Sequence, residues 1–105
     1  MVKPLWNVLY AAHAEVVISG HDHVYERFAR QTPNGTLDDR GIRVFVVATG
    51  GADHGGFNTR QPHSQVRNAK TYGVLKLRLR NAAYRWRFVP VAGKTFTDSG
   101  FTRCH

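Results

Sequence analysis

From Tyr72 to Val89 the chain alternates between apolar and basic side chains, interrupted only by Arg80-Asn81-Ala82-Ala83. A period of two belongs to a strand with one face buried. Leu75, Leu77 and Leu79 fall on one face, and Val74, Lys76 and Arg78 on the other. Tyr84, Trp86 and Phe88 likewise alternate with Arg85, Arg87 and Val89. Two such runs joined by a short connection predict a β-hairpin over 72–79 and 84–89. Its apolar side must pack on a core, which leaves Lys76, Arg78, Arg85 and Arg87 outward. A basic stripe beside an aromatic row is one way to bind nucleic acid. Here the aromatics alternate away from the arginines, so they are expected to be buried rather than offered as a stacking platform. A solvated strand face is the expectation. Pro90 ends the pattern, and 93–100 reads as a polar tail docked in extended form.

Two further apolar runs read as buried strands. Val16-Val17-Ile18 is short; Ile42 to Thr49 is nearly continuous in β-branched and aromatic residues. Before them, Pro4 to Ala14 reads as a helix with Leu5, Trp6, Leu9 and Tyr10 on its apolar side and Asn7 and His13 on the polar side. Trp6 and Tyr10, four apart, can stack, and His13 is expected to be exposed near the helix C-terminus. Phe28 to Gln31 continues in extended form into the turn Thr32-Pro33-Asn34-Gly35. Asp38 and Asp39 are read as a solvated hairpin tip rather than a carboxylate pair. Ala52 to Lys70 reads as a long polar loop; His54 and His63 there are expected to be solvated, although either could meet a substrate. His105, at the end of the chain, is the weakest candidate. The fold class is α/β and β-rich, with one N-terminal helix, central strands and a C-terminal β-hairpin.

At 105 residues the chain is one domain or less. No apolar run is long enough to cross a bilayer, and the start has too little apolar sequence for a signal peptide. Net charge is +8, with arginine dominant. Such a balance suits nucleic acid, an anionic membrane or phosphate-bearing substrates. Cys104 is the only cysteine, so no internal disulfide can form.

The segment with the most chemical content is Ser19-Gly20-His21-Asp22-His23-Val24-Tyr25-Glu26-Arg27. Gly20 permits a sharp turn at a strand end, and strand ends of α/β sheets are where such folds place their chemistry. Two histidines two residues apart are, in most chains, polar surface or a satisfied buried pair. Imidazole is also the commonest protein metal ligand. In a continued strand His21 and His23 would share one face; in a loop each could turn toward a different ion. The Gly50-Gly51 pair after the second strand allows close backbone approach to a phosphate or a metal loop, or makes a plain turn.

Gly20-His21-Asp22-His23-Val24-Tyr25-Glu26-Arg27 resembles the last block of the calcineurin-like metallophosphoesterases, in the form of the purple acid phosphatase branch. The resemblance continues through Phe45-Val46-Val47-Ala48-Thr49-Gly50-Gly51 and Thr71-Tyr72-Gly73-Val74 to Tyr84-Arg85-Trp86, covering nearly the whole chain. It implies a β-sandwich flanked by helices and two metal ions, iron with zinc, manganese or a second iron. By the resemblance His21 would bind the more labile divalent ion and His23 the ion that is iron(III) in the purple enzymes. Asp22 would shape the loop. Tyr25, Glu26 and Arg27 would hold it through hydrogen bonds and packing, Arg27 pairing with Glu26 or a carboxylate elsewhere. Gly50, Gly51 and His54 would lie near the substrate, a phosphate ester.

The chain also departs from that pattern. No Gly-Asp-x-x-Asp, Gly-Asp-x-x-Tyr or Gly-Asn-His precedes Val16, so the aspartates, asparagine, third histidine and tyrosine of the family are absent. Residues 1–105 are therefore expected to form the C-terminal portion of such a catalytic domain. They should need the remainder of that domain as partner and be inactive alone. The resemblance favours an extracytoplasmic or secreted address. The alternative function is a basic module that binds nucleic acid or another polyanion without catalysis.

Overall fold

The computed structural model describes residues 3–20, 24–47 and 62–105. One short helix and two sheets make up its regular structure. The helix, α1 (Lys3–Ala11), is followed by β1 (Val16–Ser19), β2 (Tyr25–Phe28), β3 (Arg43–Val47), β4 (Ser64–Asn68), β5 (Gly73–Leu79), β6 (Ala83–Pro90) and β7 (Ser99–Arg103). The first sheet has the order β1-β3-β2-β4 and the second β5-β6-β7. β1 and β3 are parallel, with Ser19 beside Val46; the remaining pairs are antiparallel. Among the described residues no helix is long and apolar enough to cross a membrane.

β3 is covered on both faces, which is why it reads as an unbroken apolar run. Val44 and Val46 face the helix and join Val24, Phe28 and Ile42 in a core capped by Trp6, Leu9 and Tyr10. Phe45 faces the other way and meets Tyr25, Tyr84, Trp86 and Phe88, flanked by Leu75, Leu77, Val66 and Phe96. The layers are therefore helix, four-stranded sheet, three-stranded sheet. Each large side chain buried between them contributes about 1.5–3 kcal/mol.

The hairpin has the register its period dictates, with Leu75 opposite Phe88, Leu77 opposite Trp86 and Lys76 opposite Arg87. Leu79, at the far end, is left 75% exposed. The expected polar tail, 93–100, runs at its end into a third strand, β7, paired to β6 from Ser99 to Arg103. Gly100 sits opposite Trp86 there, and an added Cβ would stand 2.6 Å from Trp86 Cη2.

Several expectations need correction. The helix stops at Ala11, not Ala14. His13 takes a left-handed conformation (φ 61°), and the two closing bonds run from His13 N to Tyr10 O and from Ala14 N to Leu9 O, 3.0 Å each. This is a Schellman cap with histidine in the glycine position. Leu5 is 56% exposed and contributes little to the apolar side. β1 is half-buried rather than buried, with Ile18 52% exposed, because it forms an edge of its sheet. The expected loop 52–70 contains β4, which Ser64-Gln65-Val66-Arg67-Asn68 scarcely announces because pairing with β2 is made by the backbone. Asp38 is not a solvated tip. It accepts from Tyr10 Oη at 2.8 Å and from Arg40 N at 2.9 Å. The bond from Arg40 and then that from Tyr10 hold its carboxyl below the usual carboxylate range.

Candidate functional site

Gly20 closes the described stretch after β1, and Val24 opens the next one just before β2. Because β1 and β3 run parallel in register, the segments that follow Ser19 and Val47 leave the same edge of the sheet. A Cβ on Gly20 would lie 3.4 Å from Val47 O, so the two exits are adjacent. β2 begins on this edge as well, with Tyr25 beside Val47, and β4 ends there, with Asn68 beside Tyr25. His21, Asp22, His23, Gly50, Gly51 and His54 lie outside the described residues. Among the described residues no group of three or more His, Cys, Asp or Glu could hold a metal ion.

The residues just after the histidine block are described, and alternate as a strand requires. Tyr25 and Arg27 face the second sheet, and both reach one buried carboxylate, Asp98. Tyr25 Oη donates to Asp98 Oδ2 at 2.5 Å. Arg27 grips the same carboxylate side-on, Nε to Oδ2 at 2.8 Å and Nη2 to Oδ1 at 3.2 Å. Trp86 Nε1 adds a fourth bond to Oδ2 at 3.2 Å. Forked guanidinium–carboxylate pairs fix orientation as well as energy. Burial, and then the bond to Asp98, push the Tyr25 phenol far above the usual tyrosine value. Tyr25 is therefore a fixed donor across the whole neutral range.

A second buried guanidinium, Arg43 at the start of β3, completes the network. Its Nε donates to Tyr84 Oη at 3.2 Å, and its Nη1 to Phe28 O at 2.9 Å and Gln65 Oε1 at 3.0 Å. Arg27 Nη1 also donates to Gln65 Oε1. Gln65 can reach both arginines because the β2–β4 register shifts between Arg27 and Phe28, and a bulge re-aims the extra side chain. Both guanidinium carbons lie over the Trp86 ring, 5.1 Å (Arg27) and 4.9 Å (Arg43) from its centroid. These are cation–π distances.

Glu26 points the other way, toward the helix side. Its partner is Arg67 of β4, Oε1 to Nε at 3.9 Å, and not Arg27. Glu26 Oε2 and Arg67 Nε and Nη2 are buried without a hydrogen-bond partner, a costly state for charged groups.

Two other histidines, His63 and His105, make contacts within the fold. His63 is not solvated: it is half-buried, adopts φ 68°, and its Nε2 lies 2.5 Å from Gly35 O. His105 packs its ring against Glu15 and Gly41 O, Nδ1 to Glu15 Oε1 at 3.4 Å and Nε2 to Gly41 O at 3.2 Å. Sequence reasoning missed Asp98, which sits in a stretch of glycine, threonine and serine. The available signal was the need of Arg27, in a buried strand, for an acid that Glu26 on the opposite face could not supply. No family model, curated protein or solved structure matches this chain.

Proposed function

We propose that the chain is the C-terminal portion of a metallophosphoesterase catalytic domain, and that His21 and His23 each give one neutral nitrogen to a different ion of a dinuclear site. The observation that carries this reading is the shared sheet edge. The parallel β1 and β3 end together, Ser19 beside Val46, and in the sequence the His-Asp-His and Gly50-Gly51 stretches follow those two ends, the kind of position where such sheets bind ligands. An ion pair of this class supplies an activated water and neutralises phosphate charge. The chain's own part is to present the imidazoles from a strand, β2, whose first residues are locked by Asp98.

Two further observations favour a partial fold that belongs with more protein. The outer edge of β1 is paired with no strand among the described residues, and its Ile18 is exposed, as are Leu5 and Val8 of the helix. The unsatisfied atoms of Glu26 and Arg67 lie toward the other edge of the same sheet, on β2 and β4. Added chain along β1 would cover the first, and added chain over the β2–β4 pair would satisfy the second.

The test is metal titration by calorimetry with Mn²⁺ and Zn²⁺, on the 105-residue chain and on its His21→Ala/His23→Ala variant. Weak binding lost in the variant is expected, together with no turnover of an aryl phosphate by either. Metal binding indifferent to both substitutions would remove the assignment, and robust turnover by the chain alone would remove its fragment status.

A further inference from the structure

The outer face of the second sheet, turned away from the first sheet, carries a separate feature. Lys76 stands directly opposite Arg87, and Arg78 directly opposite Arg85. All four are exposed. Like charges at directly opposed positions destabilise a sheet, and here two successive pairs do so. No carboxylate among the described residues relieves them. Each acid among the described residues is engaged elsewhere: Glu15 with His105, Glu26 with Arg67, Asp38 with Tyr10, Asp39 with Arg30 and Asp98 with Arg27.

The face also offers an aromatic surface. Phe101 of β7 is 47% exposed and lies opposite Arg85, whose guanidinium carbon sits 5.2 Å from the ring centroid. The cations, Phe101 and Ser99 border a shallow groove of about 440 Å³. Along each strand the cations repeat every second residue, about 7 Å apart, with the strands about 5 Å apart. A flat row of mostly arginine forks at that spacing suits successive phosphates, and an exposed ring beside it suits a base. The stacking residue is thus Phe101, on the arginine side of the sheet, while Tyr84, Trp86 and Phe88 are buried on the other.

We propose that this face binds single-stranded nucleic acid, with Lys76, Arg78, Arg85 and Arg87 on the phosphates and Phe101 stacked on a base. A sulfated polysaccharide would meet the same charge but would have no use for the ring, whereas an anionic membrane would take the ring as an apolar anchor and is told apart by vesicle binding.

The experiment is fluorescence anisotropy of a labelled oligothymidylate, about 12 nucleotides long to fall within the usual site size, titrated with the full chain over a range of NaCl. Four phosphate contacts predict that log Kd rises with log salt with a slope of about 3. Arg85→Gln/Arg87→Gln should roughly halve that slope and weaken binding at least tenfold, with a melting temperature no lower than that of the parent. Arg40→Gln/Lys94→Gln, which removes the same charge from exposed sites elsewhere, should leave both unchanged. Phe101→Leu should weaken oligonucleotide binding about fivefold or more while leaving heparin binding unaltered. Equal losses in the two arginine-containing variants, or indifference to Phe101→Leu, would overturn the proposal. So would binding confined to heparin or phosphatidylserine vesicles. None of these readouts involves His21 or His23, so this site and the metal site stand or fall separately.

Discussion

Replacing Asp98 with alanine strips the acceptor from Tyr25 Oη, from Arg27 Nε and Nη2, and from Trp86 Nε1. Hydrogen bonds to a charged group are worth about 1.5–3 kcal/mol each, so four independent bonds would give about 6–12 kcal/mol. They are not independent. Three share Oδ2, and contacts within one network do not add. Arg27 also keeps Gln65 as an acceptor and 15% of its side-chain surface in water, so part of its charge can rehydrate. Removing one partner of a buried ion pair costs about 3–5 kcal/mol; the partial exposure of Arg27 places the expected loss at the low end, about 3 kcal/mol. A chain of this size has about 5–15 kcal/mol in all. At about 4–8 °C per kcal/mol, the melting temperature should fall by about 12–24 °C. Urea unfolding followed by tryptophan fluorescence measures it, since Trp86 sits in the network. Asp98→Asn, which keeps one oxygen but turns an amide toward a guanidinium nitrogen, should cost about 2 kcal/mol. A loss below about 1 kcal/mol for the alanine variant, with unchanged m value, would show that the carboxylate is hydrated and that the network does not hold the sheets together.

Two more outcomes follow from the same layer. Gly100→Ala should destabilise by about 1–3 kcal/mol in the same urea assay, because the Trp86 ring it would strike is buried against Phe45 and Tyr84 and under two guanidiniums and has little room to step aside. The Tyr25 phenol is raised above its ordinary value of 10.0 by burial and by Asp98, so its stabilisation is complete below pH 10 and is lost as pH climbs beyond it. A phenolate absorbance titration should therefore show one tyrosine ionising only as the chain unfolds, and Tyr25→Phe should abolish that late step.

The parts of the fold legible in the sequence are those where a face is buried over several residues. The alternation of Leu75 and Leu77 with Lys76 and Arg78, and of Tyr84, Trp86 and Phe88 with Arg85 and Arg87, gave the hairpin and its inner face. Continuous apolarity over Val44–Val47 gave the central strand. What stayed hidden depends on pairing or on single atoms. β4 has one apolar residue and exists through its backbone bonds to β2. β7 carries a glycine where Trp86 fills the space of a side chain, so only Phe101 and Thr102 are left as strand-favouring types, too short a run to be recognised. Asp98 is buried because Tyr25, Arg27 and Trp86 converge on it from two other strands, and no local pattern encodes that convergence. The candidate site divides the same way. Tyr25, Glu26 and Arg27 were picked as supports, but their partners, Asp98 and Arg67, are set by tertiary contact.

The polar layer between the sheets also explains how a short strand can be held in place. β2 has four residues, too few for backbone pairing alone to resist shifts in register. A one-residue slip would turn Tyr25 and Arg27 toward the helix and drive Glu26 into the space between the sheets. It would then confront Asp98 with a second carboxylate and leave Arg43 and Trp86 without their neighbour. An apolar interior would tolerate such a slip far better, because hydrophobic contacts have little directional preference. The forked bond from Arg27 to Asp98 and the pairing of Glu26 with Arg67 oppose it from both faces. β2 is thus fixed in register and rotation from Tyr25 onward. The metal site proposed above on His21 and His23 would require that of the strand that follows them in the sequence.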